Sequence, residues 1–117
     1  MSQTHNKFKT FIIEGHDNVG NDAVGAFLQE GGVAPKSVGV EYLEGQGKTV
    51  LNIGYRDDED GIKASLTEIN LGKLALESQA IEEAFGKAAS GIENIICHEF
   101  FVTGDGTFFA VFLTADE

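Results

Sequence analysis

The sequence contains few basic residues and almost no cysteine. Arg56 is the only arginine, and 8 basic residues stand against 19 acidic ones, which gives a formal net charge of -11. Binding to nucleic-acid phosphates or to an anionic membrane requires a basic surface. The composition therefore argues against both kinds of partner. The single cysteine, Cys97, has no second thiol with which to form a disulfide inside the chain, and this agrees with a reducing compartment.

Long apolar runs are also absent. No stretch approaches the roughly 18 apolar residues of a membrane-spanning helix, and residues 1–6 lack the basic and then apolar layout of a signal peptide. We therefore expect a cytoplasmic protein. With 117 residues the chain is long enough for one core and too short for two. We expect a single α+β domain over residues 1–117, with a frayed tail at 1–6.

The most apolar part of the sequence is its C-terminal end, where we predict two paired strands over residues 92–102 and 107–114. Asp105-Gly106 between them is a hairpin signal, because a tight turn needs the positive φ that glycine tolerates. Successive side chains of a strand point to opposite faces. The last strand is apolar on both faces, which predicts that both are covered: Phe108, Ala110 and Phe112 lie on one, and Phe109, Val111 and Leu113 on the other.

Hydrophobic periodicity predicts the remaining elements. Apolar content indicates a strand at 7–14, alternating apolar residues indicate strands at 37–44, 49–55 and 62–66, and helical spacing indicates helices over 19–28 and within 71–90. No internal repeat is visible. The order β-α-β-β-β-α-β-β resembles that of a ferredoxin-like sandwich with an added strand. We expect an antiparallel or mixed sheet of five to six strands with both helices on one face.

Two helices on one face would leave the other face of the sheet without a cover. Exposed aromatic patches of this kind commonly mark an interface or a ligand groove. The sequence therefore predicts a homo-oligomer, in the simplest case a homodimer. Its candidate interface residues are Phe100, Phe101, Phe108 and Phe112.

The densest run of carboxylates is the candidate metal site, and it consists of Asp57, Asp58, Glu59 and Asp60. Hard cations such as Ca²⁺ bind oxygen ligands from loops of this kind. Alignment with an EF-hand fails, because Arg56 and Thr67 would stand at the first and last ligand positions. A looser Ca²⁺ site and a solvated acidic loop are the two interpretations that remain.

Other motifs suggest chemistry but fail on spacing. Residues 45–49 read Gly-Gln-Gly-Lys-Thr, like the end of a phosphate-binding loop, but Tyr42 stands where that pattern needs glycine and a strand follows instead of a helix. Cys97 and His98 are neighbours in a strand, so their side chains point to opposite faces and cannot form a catalytic pair there. His16 beside Asp17 is too small a set for a metal site or a triad.

These features favour a non-enzymatic binding or regulatory domain that acts through protein-protein interaction, as a homo-oligomer. No cofactor fingerprint or metal-ligand spacing is found in the sequence, and Ca²⁺ at residues 57–60 is the one cofactor considered. One alternative is an acidic inhibitor or immunity-type protein that offers its carboxylates to a basic partner. A second is a calcium-binding protein, and a third is an enzyme whose site assembles from scattered residues.

Overall fold

A computed structural model describes residues 7–116 of the chain, so the predicted tail at 1–6 lies outside the described residues. The α+β class is confirmed. In chain order the elements are β1 (Lys7–Glu14), α1 (Asp22–Gln29), β2 (Val33–Leu43), β3 (Lys48–Asp57), β4 (Ala64–Lys73), α2 (Ser78–Ala89), β5 (Ile95–Val102) and β6 (Thr107–Ala115).

The strands form two three-stranded antiparallel sheets. The strand order is β1-β3-β2 in the first and β4-β6-β5 in the second. The predicted single sheet of five to six strands is therefore wrong. Although β2 and β5 lie side by side, their ladders are interrupted by bulges at Pro35/Ser37 and at Ile95/Cys97. Bulges bend an edge strand, and proline has no N–H to donate. The two edges therefore meet without forming a common ladder.

The two halves of the chain repeat one topology. Each half contains a strand, a helix and a hairpin, and in each the second strand of the hairpin is the centre of the sheet. We call residues 7–57 unit 1 and residues 64–115 unit 2. The repeat is invisible in the sequence because equivalent positions carry different residues. Counted from the first residue of each central strand, Leu51 and Ile53 of β3 correspond to Ala110 and Phe112 of β6.

Both faces of β6 are covered within the chain, as its apolar residues predict. Phe109, Val111 and Leu113 belong to the central core. On the opposite face Phe108, Ala110 and Phe112 are buried, and the Phe85 ring of α2 contacts His98 and Phe100 of β5 there. The expectation that both helices lie on one face is wrong, because α2 covers the side of the second sheet that points away from α1.

The central core joins α1 to both sheets. Val24 and Leu28 of α1 are fully buried and belong to one cluster with residues of β3 and β6. Asn21 begins the helix, because its Oδ1 accepts a hydrogen bond from Val24 N at 3.0 Å. At the other end Gln29 Nε2 donates to the Ala64 carbonyl at 2.7 Å. The helix of unit 1 is thereby attached to the edge strand of unit 2.

Candidate functional site

A polar cavity of about 300 Å³ lies where loops and strand ends of the two units meet. Unit 1 contributes the loop after β1, the end of β2 and the β2–β3 turn. Unit 2 contributes the end of β4, the β5–β6 turn and the start of β6. We call this space the polar cavity, and its lining residues are His16, Tyr42, Glu44, Asn70, Thr103, Asp105, Thr107 and Phe109.

The predicted hairpin turn fixes one carboxylate at the polar cavity. Thr103 N donates to the Thr107 carbonyl at 3.0 Å, and Gly106 has a φ of 88°, as a tight turn requires. Asp105 Oδ1 accepts from Thr103 Oγ1 at 2.5 Å and from Thr107 N at 3.2 Å. Because the Thr103 and Thr107 bonds favour the ionised form, the pKa of Asp105 falls to about 2. Asp105 is therefore an anion at neutral pH.

The β2–β3 turn brings a second carboxylate to the same place. Glu44 Oε1 accepts a hydrogen bond from Gly104 N at 2.8 Å. A Cβ at Gly104 would lie 2.9 Å from the Glu44 carboxyl carbon, so the bond depends on the missing side chain of glycine. Glu44 of unit 1 is thereby attached to the turn of unit 2 that carries Asp105.

His16 stands at the aromatic wall of the polar cavity. Its ring centroid lies 5.3 Å from that of Tyr42 and 5.2 Å from that of Phe109. Within residues 7–116 the buried His16 Nδ1 has no hydrogen-bond partner, and the same is true of Glu68 Oε2. Buried polar atoms without partners are few in native proteins. Each of these two atoms has less than 1 Å² of accessible surface, so neither is open to a molecule in the polar cavity.

Glu68 lies next to the wall of the polar cavity, on β4. Its Oε1 accepts from Val19 N at 3.3 Å. Burial raises the pKa of Glu68 because it disfavours the charged carboxylate; the Val19 bond and the nearby His16 act in the opposite direction, and Asp17 adds to the rise. Glu68 therefore holds its proton at a higher pH than an exposed glutamate does.

The second candidate surface is the face of the first sheet that points away from the core. We call it the open face. Phe8 is 64% exposed, Ile12 61% and Leu43 38%, and the register places the half-buried Val50 opposite Ile12. Neither α1 nor α2 covers this face among residues 7–116, whereas the corresponding face of the second sheet is part of the core. The open face is thus the apolar sheet surface that the described chain leaves to solvent.

The predicted interface phenylalanines lie mostly inside the protein. Phe108, Phe112 and Phe101 are 4%, 3% and 5% exposed, and only Phe100 is accessible, at 44%. The prediction assumed that one face of β6 lacked a cover. Because α2 and the core cover both faces, Phe101, Phe108 and Phe112 are not accessible to a partner in the folded chain.

The candidate metal ligands are held by local bonds. Asp57 forms an ion pair with Lys7 at 2.5 Å, and Asp58 Oδ1 accepts from Asp60 N at 2.9 Å. Glu59 and Asp60 are exposed. Within the described part of the chain, no three His, Cys, Asp or Glu residues are grouped as a metal site requires. Ca²⁺ binding by Asp57, Asp58, Glu59 and Asp60 stays a prediction.

The other sequence motifs occupy the places predicted for them. Residues 45–49 form a hairpin turn and the start of β3, where Thr49 Oγ1 donates to the Gly15 carbonyl at 2.5 Å. Cys97 packs against the core, whereas His98 is on the opposite face beside Phe85. The thiol and the imidazole therefore do not meet.

Sequence reasoning missed the polar cavity as a whole. Glu44 and Asp105 belong to turns that are far apart in the chain, and His16 was set aside because only Asp17 accompanied it. No local pattern connects these turns, since their proximity comes from the packing of unit 1 against unit 2. The only shared signal is that each residue lies at or beside a strand end.

Comparison with known proteins adds no functional information. No protein-family model matches the sequence, and no curated protein or solved structure shows significant similarity to the chain.

Neither helix in residues 7–116 has the length and apolar character needed to cross a membrane.

Proposed function

We propose that this protein is a non-enzymatic binding domain that acts through protein-protein interaction, and that it forms a homodimer through the open face. The observation that carries the proposal is the exposure of Phe8 and Ile12 on a sheet face without a helix. Apolar patches of this kind are uncommon on monomers and commonly mark interfaces.

The size of the open face sets the strength of the dimer. Its apolar side chains are Phe8, Ile12, Leu43 and Val50, and full burial of such a side chain contributes roughly 1.5–3 kcal/mol. Association opposes this with an estimated cost of about 4–15 kcal/mol in lost freedom. Both copies contribute their side chains, but Leu43 and Val50 are already partly buried. We therefore expect a dimer that dissociates in the micromolar range.

Charge explains why a second acidic chain can approach this face. The register places Glu14, Glu41 and Lys48 on the open face. Glu99 of β5 borders it beside Glu41 and Val50, so three carboxylates and one lysine give a net charge of -2 there. Lys48 Nζ lies 3.3 Å from Glu14 Oε2, which neutralises one of the three carboxylates. Most of the 19 acidic residues therefore lie elsewhere, and repulsion between two copies is weak where the open faces meet.

Sedimentation equilibrium between 1 and about 200 μM, a range chosen to bracket micromolar dissociation, tests the dimer. We expect the average mass to rise from 12.5 kDa toward twice that value. Ile12→Asp would place two like charges against each other across the interface and should give a monomer. The matched control is Leu76→Asp, because Leu76 is exposed in the loop before α2 and should leave the dimer intact.

A monomeric wild-type chain at every concentration would contradict the homodimer. Equal loss of mass in Ile12→Asp and Leu76→Asp would also count against the open face as the interface. Melting curves of both variants show whether each is folded, which separates lost association from lost structure.

A basic protein partner is the second candidate, and the net charge of -11 favours it. Attraction between oppositely charged surfaces weakens as salt screens it. Capture of a basic partner by the immobilised chain should therefore fall steeply between low and physiological ionic strength. An apolar contact at the open face would depend little on salt.

The calcium alternative has its own test. A ligand that binds only the folded state raises stability by about 2.7 kcal/mol at a hundredfold excess over its Kd. A rise in Tm with Ca²⁺ that NaCl of equal ionic strength does not reproduce would support a site at Asp57–Asp60. A Tm that follows ionic strength alone would support the solvated loop.

A further inference from the structure

We propose that the polar cavity binds a small organic cation that carries an aromatic ring and a primary amine. This inference is independent of the homodimer, because no apolar residue of the open face lines the cavity. It rests on the charge and the aromatic rings at the cavity wall.

The charges at the polar cavity favour a cation. Glu44 and Asp105 both line it, and no lysine or arginine does. Lys73 is near enough to act on the Asp105 carboxylate but is not part of the wall. A concave site lined by charges of one sign raises the local concentration of oppositely charged ligands.

The aromatic rings favour an organic cation over a bare ion. Tyr42 and Phe109 line the polar cavity together with His16. The face of an aromatic ring attracts an ammonium group, and its apolar surface packs against the ring of a ligand. Within residues 7–116 the carboxylates do not gather into a group that could hold a metal ion.

The acceptors of the polar cavity match the donors of a primary amine. A protonated primary amine has three N–H donors. The carboxylates of Glu44 and Asp105 are acceptors, and one oxygen of each, Glu44 Oε1 and Asp105 Oδ1, already accepts within the chain. The second oxygen of each carboxylate, Glu44 Oε2 and Asp105 Oδ2, accepts from the amine.

The volume limits the size of the ligand. Ligand pockets usually measure about 300–1,000 Å³, and the polar cavity, at about 300 Å³, stands at the lower end. A single aromatic ring with a short amine fits this limit, and larger polycyclic cations do not.

Calorimetric titration with benzylamine tests the proposal, with benzyl alcohol and benzoate as neutral and anionic probes of similar shape. We expect saturable binding of benzylamine only. Glu44→Gln keeps a carbonyl oxygen for Gly104 N but removes the charge, and should weaken binding by about tenfold or more. Glu93→Gln is the matched control, because it removes an equal charge from an exposed residue at the other end of β5; its affinity should stay unchanged.

Three results would overturn the proposal: no saturable binding of benzylamine, equal binding of benzyl alcohol, or equal weakening by Glu44→Gln and Glu93→Gln. The last result would mean that the affinity for benzylamine depends on the net charge of the protein and not on the polar cavity. If Glu44→Gln fails to fold, Asp105→Asn replaces it in the same titration. Ile12→Asp should bind benzylamine like the wild type, so failure of the homodimer and failure of the cavity are distinguishable.

Discussion

Among single residues, Asp105 is the one whose hydrogen bonds most clearly predict how the stability of the protein depends on pH. Hydrogen bonds from Thr103 and Thr107 lower its pKa to about 2, against the ordinary 3.8 of aspartate. A carboxyl group with a lowered pKa in the folded state stabilises the fold above its unfolded pKa, and this stabilisation is lost as the pH falls through the folded pKa. Asp105 should therefore stabilise the protein at neutral pH and lose that effect between about pH 4 and about pH 2.

The matching experiment compares the wild type with Asp105→Asn from pH 7 down to pH 2, the range that includes both pKa values. Asparagine cannot ionise, so the difference in Tm between the two proteins isolates the Asp105 carboxylate. We expect the wild type to be more stable above about pH 4 and the difference to shrink toward pH 2. A difference that does not change with pH would show that the turn gains nothing from the charge.

Cys97 is the second residue whose environment predicts a measurable property. Burial raises the pKa of its thiol because it disfavours the thiolate; the backbone of Val38 opposes this rise, and Glu99 adds to it. The thiolate is the reactive form. Native Cys97 should therefore react with a thiol reagent about tenfold or more slowly than the same cysteine in denaturant. Equal rates in the two states would contradict the partial burial of this side chain.

At the scale of elements, Gly61 determines how the acidic loop passes the start of β2. A Cβ at this position would lie 2.7 Å from Val33 N and 2.8 Å from Val33 C, and would also collide with the Val33 carbonyl oxygen. Backbone atoms cannot turn away as a side chain can. Gly61→Ala should therefore destabilise the fold by about 1–3 kcal/mol in urea unfolding, as overpacking does.

Gly45→Ala is the control for this experiment. Gly45 lies in the β2–β3 turn, and no atom is within 4 Å of a Cβ built there. The free energy of unfolding of the Gly45→Ala protein should therefore differ from that of the wild type by less than about 1 kcal/mol. A similar loss of unfolding free energy in the two variants would mean that the loss arises from replacing a flexible glycine and not from the contact with Val33.

Some strands and turns could be predicted from local signals in the sequence, and others could not. The bounds of β1 followed from its apolar residues, and the β5–β6 turn followed from Asp105-Gly106, because these signals act between neighbours. β4 was predicted to end at residue 66 but continues to Lys73. A bulge follows Asn70, whose Oδ1 accepts from Gly72 N at 2.7 Å, and Gly72 has a φ of 81°. The bulge breaks the alternation, and the leucines around it therefore suggested a helix.

The polar cavity and the two-sheet arrangement were beyond local signals. Glu44 meets Gly104 through a hydrogen bond between residues 60 positions apart. The two-sheet arrangement brings the edge strands β2 and β5, from different halves of the chain, side by side without a shared ladder. Such features depend on the packing of unit 1 against unit 2, which periodicity within either unit does not describe.

For the whole molecule, the shared core predicts that the two units unfold together. Leu28 of unit 1 and Leu113 of unit 2 are fully buried in one cluster, so neither unit buries its apolar residues alone. Both tyrosines, Tyr42 and Tyr55, lie in unit 1 and the chain has no tryptophan. Tyr42 contacts Phe101 of unit 2, whereas Tyr55 packs against Phe27 within unit 1. Tyrosine fluorescence in a Tyr42→Phe background therefore reports on unit 1, while far-ultraviolet circular dichroism reports on both units.

Leu113→Ala is the variant that tests this cooperativity, because it creates a cavity in unit 2. Loss of a buried leucine side chain costs about 2–5 kcal/mol. If the units unfold as one, the fluorescence and circular dichroism transitions in urea should coincide in the Tyr42→Phe protein and shift together when Leu113→Ala is added. Independent units would give a fluorescence transition that stays in place while part of the dichroism signal is lost at lower urea. The shared burial of α1 between the two sheets favours the single transition, because a disrupted β6 removes one wall of the site in which Val24 and Leu28 pack.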